Sequence, residues 1–350
     1  MAARRGLNLV GAAGAGLVTS LAAWTALNRA VVRRLNSSSD PIDPADLDLP
    51  EDVREHTITM SDGWVVRSLE RGPKEGPPVL LLHGITLGAA VWPYQLGALA
   101  DAGLRVVALD LRGHGQSGRR AAEDGRRSGS AAPTLDRLAT DVSEVLDAME
   151  LDGVVLVGHS LGGMAALRLL GNEPGLAAGS GRLAGLVLAA TTANATHRRG
   201  PPGLSDAVVL ARPLVSSASG LAARLPGPTL PAHDLAFLLA RVTFGERPSS
   251  RHVAFTGRLT SDVPVRVSAS LLLDVLRFNA EDILDRISVP TGVVVGEKDL
   301  VTPPPQSEYL ATHIASSELQ VLAGCGHMLM LERPDELNRI ICRIVERAAG

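Results

Sequence analysis

The decisive stretch of the sequence reads VVLVGHSLGG over residues 154–163, and a helix-forming run, Met164 to Leu170, follows it. A short run of apolar, mostly β-branched residues predicts a buried strand, so Ser160 would stand on a sharp turn between a strand and a helix. Such a turn exposes the serine hydroxyl but crowds the backbone, and Gly158 and Gly162 stand where side chains would clash. The pentapeptide G-x-S-x-G also arises by chance in a chain with 36 Gly. The strand and helix around it nevertheless favour Ser160 as a nucleophile.

Candidates for a base, and for an acid that orients it, follow two later apolar runs. The run at 291–296 is followed by a polar loop that contains Asp299, and the run at 319–322 is followed by Gly-Cys-Gly-His, which ends at His327. A serine becomes a nucleophile when an imidazole accepts its proton and a carboxylate holds that imidazole in the right tautomer. We therefore predict His327 as the base and Asp299 as the acid. Glu297 is the rival acid, but Asp299 lies further past the strand end, where the chain can turn back towards the histidine.

Five short signatures accompany these residues. They are H-G-x-x from His83, D-x-R-G-H-G-x-S from Asp110, G-H-S-L-G-G from Gly158, G-E-x-D-x-x-T-P from Gly296 and G-x-G-H-x-x-x-x-E-x-P from Gly324. In this order they resemble the serine esterase and lipase-like branch of the α/β-hydrolase superfamily, over roughly residues 53–349. The resemblance implies the α/β-hydrolase fold, a mostly parallel central sheet flanked by helices, with a helical cap inserted after the sixth strand.

The resemblance also implies an oxyanion hole made of two main-chain N–H groups. One belongs to Leu161, the residue after the candidate nucleophile, and the other to Ile85, which follows the apolar run at 79–82. Gly84 would let this loop approach the substrate closely. His83 is expected to orient the loop rather than to transfer protons.

Periodicity predicts the other elements of the fold. Continuous apolar runs are typical of parallel strands buried on both faces, and apolar residues at helical spacing predict helices on either side. The Leu/Ala-rich stretch at 193–277, broken by prolines, predicts the cap between the core segments 53–192 and 278–350. The predicted strands are an antiparallel pair at 56–60 and 64–69 and parallel strands at 79–82, 105–109, 154–157, 183–189, 291–296 and 319–322, and the predicted helices include 135–149 and 334–348.

The amino-terminal segment, residues 1–35, predicts a hydrophobic anchor or signal. Residues 6–28 carry no charged side chain and are flanked by arginines on both sides. An uncleaved membrane anchor, a cleaved export signal and an amphipathic helix are all compatible with this pattern, and the length of the uncharged run favours the anchor. We therefore expect membrane association or export, with the side of the membrane left open by the two basic flanks. Residues 36–52, rich in Ser, Pro and Asp, predict a flexible linker.

Charge and composition exclude several classes of partner. The net charge is −3 and no basic patch is evident, so no nucleic-acid partner is expected. No Cys/His group has metal-ligand spacing and no Gly-rich loop has a phosphate-binding form, so neither a metal nor a cofactor is expected. The two cysteines form no disulfide framework. Lysine occurs only at positions 74 and 298 while arginine is abundant, which is typical of a GC-rich bacterial genome.

The expected function is hydrolysis of a small carboxylic ester, apolar or lipid-like, through an acyl-enzyme on Ser160. The same triad also supports C–C bond hydrolysis, thioester hydrolysis and cofactor-free haloperoxidase chemistry. A ligand-binding protein that keeps the triad without turnover is the alternative from another class. The sequence carries no signal for the oligomeric state.

Overall fold

The computed structural model describes residues 40–117, 133–178, 181–195 and 240–350 of the chain. The predicted anchor or signal at 1–35 and the first half of the predicted cap lie outside the described residues. Within the described ranges, no helix combines the length and the apolar character needed to cross a membrane.

One eight-stranded sheet organises the described part of the chain, with strand order β1-β2-β4-β3-β5-β6-β7-β8. The first two strands pair antiparallel, β2 also runs antiparallel to β4, and all other neighbours are parallel. The inner strands β3, β4, β5 and β7 are apolar because helices cover both faces of the sheet. The strands are β1 Arg54–Thr59, β2 Val65–Arg71, β3 Pro78–Leu82, β4 Arg105–Leu109, β5 Val154–His159, β6 Leu183–Ala189, β7 Thr291–Gly296 and β8 Ser317–Leu322.

The helices begin and end at recognisable sequence signals. The Thr134 side chain accepts a hydrogen bond from the N–H of Arg137 and caps the second helix, and Pro334 opens the last one. In chain order through the described ranges the α-helices are α1 Pro93–Asp101, α2 Leu135–Ala148, α3 Leu161–Asn172, α4 Pro174–Ala177, α5 Ser250–Asp262, α6 Val265–Val275, α7 Pro304–His313, α8 Leu329–Glu332 and α9 Pro334–Ala349. Short 3-10 helices span Pro44–Leu47, Ala89–Val91 and Glu281–Arg286.

Two apolar layers form the core, one on each face of the sheet. Leu138 of α2 and Leu169 of α3 belong to one layer, whereas Trp92 and Ile341 of α9 belong to the other. Each of these side chains is at most 1% exposed. Because strands β3 to β8 run parallel between these layers, their carboxyl ends lie at one edge of the sheet. Ligands bind at this edge in open α/β sheets.

The sequence-based fold prediction is confirmed, and the strand boundaries differ by a few residues. The predicted strand at 105–109 matches β4 and the one at 183–189 matches β6. The strand β8 begins at Ser317 rather than at 319 because its first residues are polar and half-exposed at the sheet edge, where the apolar signal is weak. The helix after the elbow begins at Leu161, three residues before the predicted start.

The described part of the predicted cap, between β6 and β7, contains α5 and α6. Leu271 of α6 is buried in the same apolar layer as the core helices α2 and α3, whereas Val253 of α5 belongs to the layer of α1 and α9. Both helices therefore pack on the domain at the edge where the parallel strands end.

Residues 40–52 differ from the flexible linker expected at 36–52. This segment contains the 3-10 helix Pro44–Leu47, and Leu47 is 7% exposed within the core layer of α1 and α9. The Asp52 carboxylate accepts a hydrogen bond of 2.6 Å from Arg71 on β2. The composition suggested a linker because Ser, Pro and Asp dominate, but the buried Leu47, with Ile42 and Leu49 packed against the same layer, seats the segment on the domain.

Candidate active site

Ser160 occupies the sharp turn between β5 and α3. Its backbone has φ 52° and ψ −116°, a region that costs a non-Gly residue roughly 1–3 kcal/mol. Three hydrogen bonds hold this conformation: the Ser160 N–H donates to Ala189 at 3.0 Å, and its carbonyl accepts from Thr191 Oγ1 at 2.7 Å and from Met164 N–H at 3.1 Å. A Cβ at Gly162 would overlap the carbonyl oxygen of Leu82, so this position requires glycine. The turn therefore has the geometry predicted for a nucleophile elbow.

Asp299 and His327, predicted on separate loops, lie in contact. The His327 Nδ1 is 2.8 Å from Asp299 Oδ2, and the two side chains are 6% and 0% exposed. The other carboxylate oxygen, Oδ1, accepts from the N–H groups of Val301 and Thr302 at 2.8 and 2.9 Å, while Thr302 Oγ1 donates to Oδ2 at 2.9 Å. The carboxylate is thus fixed in one orientation by the turn that carries it, with one lone pair directed at the imidazole.

Glu297, the rival acid, faces away from this contact. Its carboxylate accepts from the N–H of Gly324 at 2.9 Å and lies 3.4 Å from Lys298 Nζ. The Gly324 hydrogen bond, followed by Lys298, lowers the pKa of this exposed carboxyl. Glu297 therefore links two surface loops, and Asp299 is the acid that contacts the imidazole of His327.

The loop that carries His327 is held from three directions. Its N–H donates to the Thr243 carbonyl at 2.7 Å, and its own carbonyl accepts from His159 Nε2 at 2.9 Å. Glu332 accepts from the N–H groups of Gly326 and Gly245 at 2.9 and 2.8 Å. Burial raises the pKa of the Glu332 carboxyl, although both N–H donors oppose this shift. These contacts fix the imidazole from its backbone side, which complements the side-chain contact with the aspartate.

His159 directly precedes the candidate nucleophile, and its side chain is buried. It is 1% exposed, and burial followed by the charge of His327 lowers its pKa well below the ordinary value, so the ring is neutral. Because its Nε2 donates to the His327 carbonyl, the proton resides on Nε2. His159 therefore bridges the elbow and the histidine loop.

The loop after β3 lies against the elbow. His83 Nε2 accepts from the N–H of Leu111 at 3.0 Å, and Nδ1 donates to the Gly84 carbonyl at 2.7 Å, as expected for a residue that orients the loop. Burial lowers the pKa of His83 to about 4, so the ring is neutral at physiological pH. A Cβ at Gly84 would lie 2.9 Å from His159 Nδ1, which explains the absence of a side chain here. Ile85 follows directly and faces the cavity that contains Ser160.

Leu161, the other predicted oxyanion donor, is the first residue of α3. The first N–H groups of an α-helix have no partner within the helix, and the positive end of the helix dipole lies at the same place. Leu161 and Ile85 line one cavity together with Ser160. This surrounding favours a negative charge that develops next to the serine oxygen.

Two cavities meet at Ser160. The first, of about 180 Å³, is mostly apolar and is lined by residues that include Met164, Leu272 and Leu276. The second, of about 360 Å³, is reached by His327 and by the hydroxyl-bearing side chains Thr86, Thr243, Thr256, Thr260 and Ser268. Both cavities have mostly apolar walls, and the candidate nucleophile lies where they meet; the second differs in carrying His327 and the hydroxyl-bearing side chains.

Three supporting residues were not identified from the sequence. Thr302 and Glu332 both belong to the signatures that start at Gly296 and Gly324. The sequence therefore marked these two positions but did not indicate what the residues do. Thr243 holds the His327 loop through its carbonyl oxygen, and any residue type could supply that group. This contact depends only on the position of the main chain in the fold, so no residue type in the sequence indicates it.

Known proteins of similar sequence and fold include several hydrolases. The family model described as "Alpha/beta hydrolase family" matches residues 79–340. A relative from Variovorax paradoxus (strain S110), RutD, which is named for carbamate hydrolysis, is 30% identical over 280 residues, 80% of this chain and 95% of the relative. A non-heme chloroperoxidase from Streptomyces lividans is 37% identical over 120 residues, 34% of this chain and 40% of the relative. The solved structure of an esterase from Exiguobacterium antarcticum superposes with a TM-score of 0.69 at 24% identity, covering 83% of this chain and 98% of the esterase. The chain belongs to the alpha/beta hydrolase family.

Proposed function

We propose that this hydrolase cleaves carboxylic esters through an acyl-enzyme on Ser160. His327 acts as the base, Asp299 orients it, and the N–H groups of Ile85 and Leu161 stabilise the oxyanion. The observation that carries the proposal is the 2.8 Å hydrogen bond between His327 and Asp299 at the cavity that His327 shares with Ser160. Such a pair beside a serine on a strained turn is the arrangement that acyl transfer requires.

The proposed reaction has two steps. The Ser160 oxygen attacks the ester carbonyl while His327 takes its proton, and the carboxylate of Asp299 stabilises the resulting imidazolium. The imidazolium then donates this proton to the leaving alkoxide, and the acyl group stays on the serine. Water enters, loses a proton to His327 and attacks the acyl carbon; the imidazolium then returns this proton to the Ser160 oxygen as the bond to the acyl carbon breaks and the acid is released. Preformed main-chain donors lower both barriers because they need no reorganisation when the oxyanion forms.

The two cavities support a division of the substrate. The imidazole must reach the leaving oxygen, so the alcohol portion belongs in the cavity that His327 lines, among Thr256, Thr260 and their neighbours. The acyl portion then enters the other cavity, next to Met164. Since about 180 Å³ is below the usual range of about 300–1,000 Å³ for ligand pockets, we infer a short apolar acyl group.

Labelling and turnover test the proposal directly. The wild-type chain should react with a fluorophosphonate probe and hydrolyse p-nitrophenyl esters, whereas Ser160→Ala should do neither while unfolding at the same urea concentration. Ser143→Ala, in α2 on the outside of the sheet, is the matched control and should keep both activities. Labelling that persists in Ser160→Ala would refute the assignment.

Cofactor-free haloperoxidase chemistry is the second candidate, because 120 residues are 37% identical to the Streptomyces lividans non-heme chloroperoxidase. Dye bromination with hydrogen peroxide, bromide and a carboxylic acid tests it. Serine-dependent bromination that is faster than ester turnover would favour this candidate over ester hydrolysis.

A further inference from the structure

We propose that Asp40 is a positioning residue for the active site. It fastens the amino-terminal end of the cap helix α5 to residues 40–52, here called the strap, and thereby sets the walls of the larger cavity beside Ser160. The hydrogen bonds of Asp40 do not depend on which reaction the protein catalyses, whereas the expected kinetic effect rests on the proposed ester hydrolysis.

The Asp40 carboxylate receives hydrogen bonds from the start of α5. Its oxygens accept from Ser249 Oγ at 2.7 and 2.9 Å, from Ser250 Oγ at 2.7 Å and from the N–H of Arg251 at 3.0 Å. The N–H of Ile42 in the strap adds a bond of 3.0 Å. Partial burial raises the pKa of Asp40, but the hydrogen bonds, led by the one from Ser249, outweigh it and hold this pKa below its ordinary value. The ionised carboxylate also lies at the positive end of the helix dipole.

Ser249 links the strap to the helix in both directions. Its hydroxyl oxygen accepts from the N–H of His252, as an N-cap residue does, and its proton is donated to Asp40. The guanidinium of Arg251 additionally donates to the carbonyl of Ile42. The strap thus satisfies donors that a helix terminus leaves without partners.

The other end of the strap is seated on the catalytic domain. Leu47 is buried in the apolar layer to which Leu99 of α1 and Val253 of α5 also belong. Arg71 of β2, which bonds Asp52, also donates to Asp101 of α1 at 2.7 Å. Because the strap is anchored here, Asp40 holds α5 relative to the sheet rather than to a free segment.

The opposite half of α5 reaches the candidate active site. Thr256 and Thr260 line the larger cavity, and Thr260 Oγ1 lies 3.4 Å from Thr86 Oγ1. Thr86 has a φ of 62° and follows Ile85, the candidate oxyanion donor. From Ser250 to Thr260 the helix rises about 15 Å, so a tilt at its start moves its far end. The strap is therefore connected through one rigid helix to the wall of the cavity proposed for the alcohol portion of the substrate.

Hydrogen exchange measures this connection without any substrate. In full-length Asp40→Asn, exchange across residues 250–262 should accelerate roughly three- to thirtyfold, the range for a lost helix cap. Asp48→Asn removes an exposed carboxylate from the same strap and should leave exchange unchanged. Unchanged exchange at 250–262 in Asp40→Asn, or equal acceleration in Asp48→Asn, would overturn the proposal.

Kinetics separate positioning from general stability. For esters with a bulky alcohol, Asp40→Asn should raise KM roughly three- to thirtyfold, while for a methyl ester kcat and KM should both stay at the wild-type values. Equal losses for both esters would refute the positioning role. Ser250→Ala removes one donor from the helix side, and its effect should not add to that of Asp40→Asn in the double variant. Additive effects would show that the two groups do not act through their contact.

These readouts also distinguish the two proposals. If neither wild type nor variant hydrolyses any ester, the proposed function fails, yet exchange at 250–262 still decides the role of Asp40. If Asp40→Asn does not fold, Ser250→Ala supplies the exchange measurement with one hydrogen bond removed, and unchanged exchange there would overturn the proposal.

Discussion

Replacing Asp299 by asparagine tests the acid at its most sensitive point. The Oδ1 oxygen accepts two main-chain N–H groups, from Val301 and Thr302, so the carbonyl oxygen of the new amide must take this position. Its NH₂ group is then forced to face His327 Nδ1, where the aspartate offered an acceptor at 2.8 Å. In the reverse orientation the NH₂ group would face the N–H groups of Val301 and Thr302, so donors would meet donors. Each group left unsatisfied would cost roughly 1–3 kcal/mol.

The forced amide orientation selects the wrong histidine tautomer. With a donor opposite Nδ1, the imidazole keeps its proton on Nε2 and cannot accept one from Ser160. We expect kcat to fall about 10⁴-fold, as in the corresponding change in a serine protease. This loss corresponds to about 5 kcal/mol of transition-state stabilisation. The free energy of unfolding should change far less, by roughly 1 kcal/mol, because the fold keeps the same side-chain shape and the Oδ1 contacts.

Steady-state hydrolysis of a p-nitrophenyl ester from pH 6 to 9, with urea unfolding in parallel, provides the measurement. Glu297→Gln is the matched control, since this exposed carboxylate contacts Gly324 and Lys298 instead of the imidazole. It should retain nearly full turnover. If Asp299→Asn kept more than about a tenth of the activity, or if Glu297→Gln were the more damaging change, the assignment of the acid would be wrong.

Three further predictions concern the supporting residues and the strap. Thr302→Val keeps the side-chain shape but removes a donor 2.9 Å from the aspartate, so kcat/KM should fall roughly tenfold or more; unchanged turnover would contradict this role. Burial lowers the pKa of His83 to about 4, and burial followed by His83 lowers that of His114 to about 3. Below pH about 6.5 the unfolded chain binds these protons and the folded chain does not. Each histidine should therefore lower the free energy of unfolding by about 1.4 kcal/mol per pH unit as the pH falls towards 5. A urea midpoint that stays constant between pH 7 and 5 would argue against buried neutral rings. Deleting residues 1–52 rather than 1–39 should lower the unfolding free energy of the domain by about 3 kcal/mol, about 2 kcal/mol from the loss of Leu47 burial and about 1 kcal/mol from the lost Asp40 hydrogen bonds at the start of α5, and equal urea midpoints would show that the strap is dispensable.

Much of the fold could be read from the sequence because its signals are local. The runs at 106–109 and 183–189 are continuously apolar, and strands covered on both faces need that character along most of their length. The edge strand β8 was placed less accurately, since one of its sides faces water and polar residues interrupt the pattern. The contacts of the strap were missed for a related reason, because its composition is that of a linker and its few apolar residues, Ile42, Leu47 and Leu49, form no periodic pattern.

The sequence by itself determined which residues are candidates for chemistry and in what order they occur. Ser160 was identifiable because a strained turn needs glycine neighbours and a strand and helix on either side, all within a dozen residues. Asp299 and His327 were identifiable because each follows an apolar strand, and their catalytic roles stay predictions until variants are measured.

Only the tertiary structure decided what surrounds these residues. Thr302 supports Asp299, the Thr243 carbonyl holds His327, and Asp40 reaches Ser250 across 210 positions of the chain. Hydrogen bonds of this kind join groups that many residue types carry, at distances set by the packing of the whole sheet and its helices. Local sequence fixes which side chain stands at each position, but the partner of a carboxylate or a carbonyl is fixed only when distant segments are brought to within about 3 Å of each other.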